Sequence, residues 1–197
     1  AQDSLNALLD RLEAHLPAQQ RRDYRVLYLP QPTVNAIAIP GDRILIYQGL
    51  LAEMESENEL MMVLAHELGH FAHRDHLRQL GRGLLLQVVI AGVMGDAGSL
   101  QAIALSGATA LDNSRFSQSQ EYSADAFGLM LLQQTYGQVA GATDFFARLS
   151  QAAGANFDFL ATHPGSDQRV QRLQQLIQTQ GYRVGTRSPL PDILSQP

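Results

Sequence analysis

Leu5, Leu8, Leu9, Leu12 and Leu16 recur at helical spacing near the start of the chain, and Pro17 closes the run. This spacing predicts an amphipathic first helix with one apolar face. The pattern then changes. Tyr24–Leu29, Thr33–Ile39 and Arg43–Gln48 are short β-rich runs, and Pro40-Gly41-Asp42 separates the last two as a turn. A small sheet containing one hairpin is expected there. Ser56-Glu57-Asn58-Glu59 reads as a capping box ahead of Leu60, Val63, Leu64, Leu68 and Phe71. A long helix is expected from that box toward Leu80, with Gly81 and Gly83 breaking it. Residues 84–111 are apolar and glycine-rich. They predict two loose helices around Gly95-Asp96, serving as a packed hairpin or as a mobile apolar lid or membrane-facing surface. Ser117-Gln118-Ser119-Gln120 is a second capping signal, followed by a helix carrying Ala124, Phe127, Leu131 and Leu132. Thr143–Ala152 and Ser166–Gln180 predict two more helices. The last dozen residues hold three prolines and read as a docked or frayed tail.

Composition narrows the class. With 197 residues, 45% hydrophobic and 17% charged, the chain is expected to form a single globular domain over 1–197. Lys and Arg number 14 against 19 Asp and Glu, a net charge of −5, which argues against a nucleic-acid partner. The absence of cysteine excludes a disulfide framework, a thiol nucleophile and a Cys-ligated metal. No stretch reaches the ~20 apolar residues needed to span a bilayer, so this form is expected to be soluble. The nearest candidate starts at Leu84, holds Gln87 and stops at Asp96. The chain begins at Ala1 rather than Met, as after removal of a signal peptide or after trimming.

The residues that carry chemistry begin with His66-Glu67-Leu68-Gly69-His70. Two His at i and i+4 share one helix face, so their imidazoles can converge on one tetrahedral zinc. Glu67 then sits beside the open position, where it can take a proton from an activated water and pass it to a leaving amine. A third protein ligand is needed, and two candidates compete. His76 has metzincin spacing, but His73 stands where that motif places Gly. If the helix continues, His76 lies ~9 Å further along the axis than His70 and points away. His73 and His76 then read as a polar helix end. The other candidate is Glu121, with Asp125 one turn later on the same face. Glu121 can ligate zinc while Asp125 accepts the free N–H of a ligating His. By spacing alone, a solvated acidic helix face fits this pair equally well.

Four segments in order carry a resemblance. They are Asn35-Ala36-Ile37-Ala38 running through Pro40-Gly41 to Leu51, the zinc-helix motif, Ser114-Arg115 with Glu121, Asp125 and Gly128, and Thr162-His163-Pro164 with Arg169. Together they resemble the HtpX-like and CAAX prenyl endopeptidase family of gluzincins, metallopeptidase family M-48, and above all its bacterial periplasmic members. The resemblance implies an α+β, mostly α, zincin-like fold with a small N-terminal β-sheet and a long active-site helix. It implies one Zn²⁺ per chain held by His66, His70 and Glu121, with Glu67 as general base. It favours Glu121 over His76, with Asp125 and Arg169 supporting the ligands. It further implies a protein or peptide substrate bound as an extended strand along an edge strand drawn from residues 33–48.

His163, restrained to an extended backbone by Pro164, is expected to donate to the carbonyl oxyanion or to occupy zinc's fourth position in a self-inhibited state. A loop His capping the helix near Ser166 is the bland alternative. Arg169 pairs with a site carboxylate, positions His163 or lies on the surface. Tyr47, Tyr122 and Tyr136 are further oxyanion candidates. The expected function is a zinc-dependent endopeptidase acting on unfolded or misassembled proteins, periplasmic or outer-membrane-associated, with envelope contacts through residues 84–111. The alternatives are a zinc-containing chaperone-like protein held inactive by His163, and a metzincin-type protease using His76.

Overall fold

The computed structural model describes residues 1–78, 81, 115–152 and 158–195. The expectations for residues 84–111 lie outside the described residues. Helix α1 (Gln2–Glu13) leads through a 3-10 turn (Ala18–Gln20) to strands β1 (Arg25–Leu29), β2 (Ala36–Ile39) and β3 (Arg43–Tyr47). Helices α2 (Gln48–Ala52) and α3 (Glu57–Ala72) follow. After these come α4 (Gln118–Tyr136), α5 (Asp144–Gln151), α6 (Asp158–Thr162), α7 (Ser166–Gln180) and α8 (Asp192–Ser195). This is the mostly helical fold with a small sheet that the sequence pattern predicts.

The sheet order is β1-β3-β2, with β3 parallel to β1 and antiparallel to β2. The β2–β3 hairpin closes through Gly41 at φ 88° and Asp42 at φ 60°, left-handed values that Gly and Asp tolerate better than most residues. Val26, Ala36, Ala38, Ile44 and Ile46 are buried in the same core as Leu5, Leu8, Leu9 and Leu12 of α1. Each buried leucine contributes roughly 1.5–3 kcal/mol relative to exposure. The two sheet edges are treated differently. On β1, Gln2 Nε2 donates to Val26 O, Asn6 Oδ1 accepts from Val26 N, and Gln2 Oε1 accepts from Tyr28 N. Side chains of α1 therefore block that edge from pairing with another strand. β2 forms the other edge, beside α3.

Helix α3 starts where the capping signal predicts, with Ser56 Oγ accepting from Glu59 N at 3.3 Å. The Glu59 side chain turns elsewhere, to Arg148 at 2.6 Å and Arg187 at 3.2 Å. The helix ends at Ala72, eight residues short of the expected Leu80. Arg74 adopts φ 57°, which breaks the helix before residues 75–78 resume a helical turn. Helix α4 begins on a complete capping box between Ser117 and Gln120. It crosses α3 closely. A Cβ on Gly69 would stand 2.8 Å from Ala124 Cα, and one on Gly128 would stand 3.0 Å from His66 N. Glycine at these two positions lets the helix backbones approach nearer than side chains allow. The tail is docked: Ser188 O accepts from Glu57 N at 3.0 Å, and Leu194 is buried.

Candidate metal centre

One turn of α3 presents His66 and His70 on the face that meets α4, and their Nε2 atoms lie 3.1 Å apart. From α4, Glu121 places Oε2 3.6 Å from His66 Nε2 and Oε1 3.4 Å from His70 Nε2. His163 follows α6 and brings Nδ1 to 3.4 Å from His66 Nε2 and 3.2 Å from Glu121 Oε1. One ligand atom from each of these four residues falls within 4.8 Å of the others. All four are fully buried, as is Glu67.

The donor chemistry fits zinc. His66 Nδ1 lies 2.9 Å from Asp125 Oδ1, and His70 Nδ1 lies 3.1 Å from Asp75 Oδ2. Nδ1 of each ring donates to its carboxylate, which turns the Nε2 lone pairs toward each other. Two lone pairs at 3.1 Å repel unless a proton or a cation stands between them. Two nitrogens on one tetrahedral zinc, each at ~2.05 Å, are about 3.3 Å apart. The pair is therefore spaced as one edge of such a tetrahedron. Phe116 stacks on His70 with centroids 3.7 Å apart, and Phe159 stacks on His163 at 4.4 Å. The polar cluster is thus walled by aromatic rings.

Arg169 supplies the compensating charge. It is 1% exposed. Its Nη1 lies 2.7 Å from Glu121 Oε2, while Nε and Nη2 donate to the two Asp125 oxygens at 2.8 and 2.7 Å. Its guanidinium lies over the Phe146 ring at 4.6 Å. Burial pushes the Glu121 carboxyl up, but His163, Arg169 and His66 outweigh it and hold the carboxyl well below the usual range. Burial likewise raises Asp125, and Arg169 with His66 brings it below its ordinary value. Burial and the Arg169 charge push His66 down. Burial also opposes charge on His70, but the hydrogen bonds to Asp75 and Glu121 and the Glu67 charge prevail, raising it to about 9.

Both oxygens of Glu67 are buried without a hydrogen-bond partner, and His163 Nε2 lies 3.5 Å from Oε1. A buried carboxylate left this way is aimed at something the protein alone does not provide.

The structure brings together His66, Glu67, His70, Glu121, Asp125, His163 and Arg169. The solvated-face reading of Glu121 and Asp125 and the surface reading of Arg169 are set aside by their burial. His163 does not cap α7. Its Nε2 lies 3.3 Å from Ala36 O on the edge strand. His76 stays apart: it packs edge-on against Phe71 at 4.7 Å and lines a cavity of about 310 Å³ with Tyr24 and Arg74. The break at Arg74 swings Asp75, not His76, toward His70. Tyr136 donates to Glu57 at 2.5 Å, and Tyr122 donates to Gln168 on the exposed side. Tyr47 lines a separate cavity of about 260 Å³ with Asn35 and Thr162. Asp75, Phe116 and Phe159 carry no motif signal and are missed by sequence reasoning.

The model of Peptidase family M48 matches residues 1–177. The chain belongs to this family of zinc metallopeptidases. Relatives include mitochondrial metalloendopeptidase OMA1 of Arabidopsis thaliana, 31% identical over 77% of this chain and 31% of that protein. Metalloprotease LoiP of Escherichia coli is 33% identical over 76% of this chain and 61% of its own length. The beta-barrel assembly-enhancing protease of Yersinia pestis is 26% identical over 84% of this chain and 37% of its own. The chain thus spans between 31% and 61% of the length of these relatives. Among the described residues, no helix is long and apolar enough to cross a membrane.

Proposed function

We propose that residues 1–197 form one zinc endopeptidase domain in which His66, His70 and Glu121 hold the metal and Glu67 is the general base. The observation that carries this reading is the unpartnered Glu67 carboxylate beside two Nε2 atoms 3.1 Å apart. Zinc, when bound, supplies the Lewis acidity that polarises a scissile carbonyl and acidifies a water. Glu67 takes the proton from that water and delivers it to the leaving amine. Asp125 fixes the His66 tautomer, and Arg169 balances the charge of Glu121 and Asp125.

The substrate is an extended segment of an unfolded or misassembled protein added to the β2 edge. Tyr47 N donates to Asn35 O across the hairpin, so by the two-residue period Ala36 and Ala38 turn their polar groups outward. In this closed form the outward groups of Ala36 are taken. Asn35 Oδ1 accepts from Ala36 N at 2.9 Å, and His163 Nε2 meets Ala36 O. Substrate pairing there displaces His163, which otherwise fills the fourth position of the metal group. His163 is read as the group that closes the site and, once displaced, as a donor to the oxyanion. The favoured setting is the bacterial periplasm or outer membrane. The resemblance supports it, as does a relative named for enhancing β-barrel assembly.

Cleavage of unfolded casein by the zinc-loaded chain tests this reading. It is expected to be chelator-sensitive and abolished in Glu67→Gln. Equal cleavage by Glu67→Gln would remove Glu67 from the chemistry. The full burial of the site also favours a second reading, a chaperone-like protein held inactive by His163. That reading predicts bound zinc and client binding but no cleavage by wild type.

A further inference from the structure

Asp75 lies outside the three segments that supply the metal group, yet it is 1% exposed and its two oxygens are divided between two tasks. Oδ2 faces His70 Nδ1 at 3.1 Å. Oδ1 accepts from Gln120 Nε2 at 2.9 Å and from Arg78 Nη1 at 3.3 Å. Gln120 is itself fixed, because its Oε1 accepts from Ser117 N at 2.9 Å and completes the capping box of α4. The next residue on that helix is Glu121.

The backbone explains how Asp75 arrives. In an uninterrupted helix, residue 75 would lie ~7.5 Å beyond His70 along the axis and ~140° around it, too far for its carboxylate to meet the imidazole. The helix stops at Ala72, and Arg74 takes the left-handed conformation at φ 57°. The chain turns there and lays Asp75 against the His70 ring. A non-glycine residue held at positive φ is strained and persists where its surroundings over-determine it. Here the residue that follows the strained position meets His70 and Gln120.

We propose that Asp75, held by Gln120, is the positioning residue that fixes the tautomer and ring orientation of His70 for the metal. The first turn of α4 then sets two groups of the site, Glu121 directly and His70 through Gln120 and Asp75. His66 is tied to the same helix through Asp125. A neutral imidazole that donates Nδ1–H to a carboxylate presents Nε2 as its metal-binding lone pair. The proposal rests on the reading of His66, His70 and Glu121 as zinc ligands.

The test uses the full chain and four proteins: wild type, Asp75→Ala, Asp75→Asn and Gln120→Glu. Zinc dissociation constants come from chelator competition, and the cobalt-loaded forms give visible absorption spectra that report ligand geometry. Asp75→Ala is expected to bind zinc roughly 10–100-fold more weakly, with shifted cobalt bands. Asp75→Asn keeps an oxygen to accept from Nδ1–H but turns its NH2 toward Gln120 Nε2, so it should recover only part of the affinity, near that of Gln120→Glu. Gln120→Glu keeps the cap acceptor but loses the donor to Asp75, so its affinity should also fall. Wild-type affinity and an unshifted cobalt spectrum in Asp75→Ala overturn the proposal and leave the ligand assignment standing. Absence of zinc binding by wild type overturns the ligand assignment and the proposal with it. If Asp75→Ala does not fold, Gln120→Glu decides: weaker zinc binding sustains the proposal, and unchanged binding overturns it.

Discussion

Replacing Arg169 by Met separates the two charges that the site must balance. Its guanidinium faces Glu121 at 2.7 Å and both Asp125 oxygens at 2.7 and 2.8 Å, and it is 1% exposed. Removing one partner from a buried ion pair costs about 3–5 kcal/mol, because the remaining charge is left without compensation. For a chain near 200 residues each kcal/mol moves the melting temperature by about 2–4 °C. The metal-free Arg169→Met protein is therefore expected to melt about 6–20 °C below wild type. Zinc changes this. A bound cation compensates Glu121, so the uncompensated charge is confined to Asp125, one of the two carboxylates that the guanidinium spans. The deficit should shrink to about half when both proteins are zinc-loaded. Arg169→Lys should fall between, since one ammonium cannot span both carboxylates. Calorimetric melts in chelator and in zinc measure all six cases. Metal-free wild type and Arg169→Met melting within about 2 °C of each other would refute the charge-balance argument. A deficit unchanged by zinc would refute the role given to Glu121.

Gly69→Ala places a methyl 2.8 Å from Ala124 Cα, so α3 and α4 must move apart. Overpacking of this kind costs about 1–3 kcal/mol, and zinc affinity by chelator competition should fall as Glu121 shifts; an unchanged melt and affinity would count against the close crossing. His163→Ala is expected to raise basal casein cleavage by opening the site, whereas lower cleavage with zinc retained would make His163 a transition-state donor only. Burial with the nearby Asp10 charge raises Glu13 from 4.5 to about 7 in the folded chain. The fold binds that proton more tightly than the unfolded chain does. This stability is fully present below about pH 4.5 and is lost as pH rises through about 7. Glu13→Gln should therefore melt above wild type at pH 8 and with it at pH 4; the reverse order would show that the carboxyl is not held protonated.

Where local pattern governs, the sequence was sufficient. Helix α7 spans Ser166–Gln180 as its periodicity predicts, and Ser117 and Gln120 cap α4 as their spacing predicts. The i, i+4 spacing of His66 and His70 carries its own geometry, since a helix can place them only on one face. The end of α3 was not legible, because nothing in the residue type of Arg74 announces a left-handed backbone. Asp75, the next residue, is held by contacts that include Gln120, 45 residues away. The same holds for Phe116 on His70 and for His163 against Ala36 O, 127 residues apart. Such contacts arise from tertiary packing, which periodicity does not encode. His76 shows the converse: its spacing is suggestive, but the turn at Arg74 carries its ring to Phe71.

Zinc per chain in wild type, Glu121→Gln and His76→Ala, purified identically and measured by mass spectrometry of the metal, tests the central assignment most directly. Near-stoichiometric zinc in wild type and His76→Ala, with a sharp fall in Glu121→Gln, is the predicted result. Zinc retained in Glu121→Gln and lost in His76→Ala would contradict the assignment, and a wild type that takes up no zinc on reconstitution would contradict the metal centre itself.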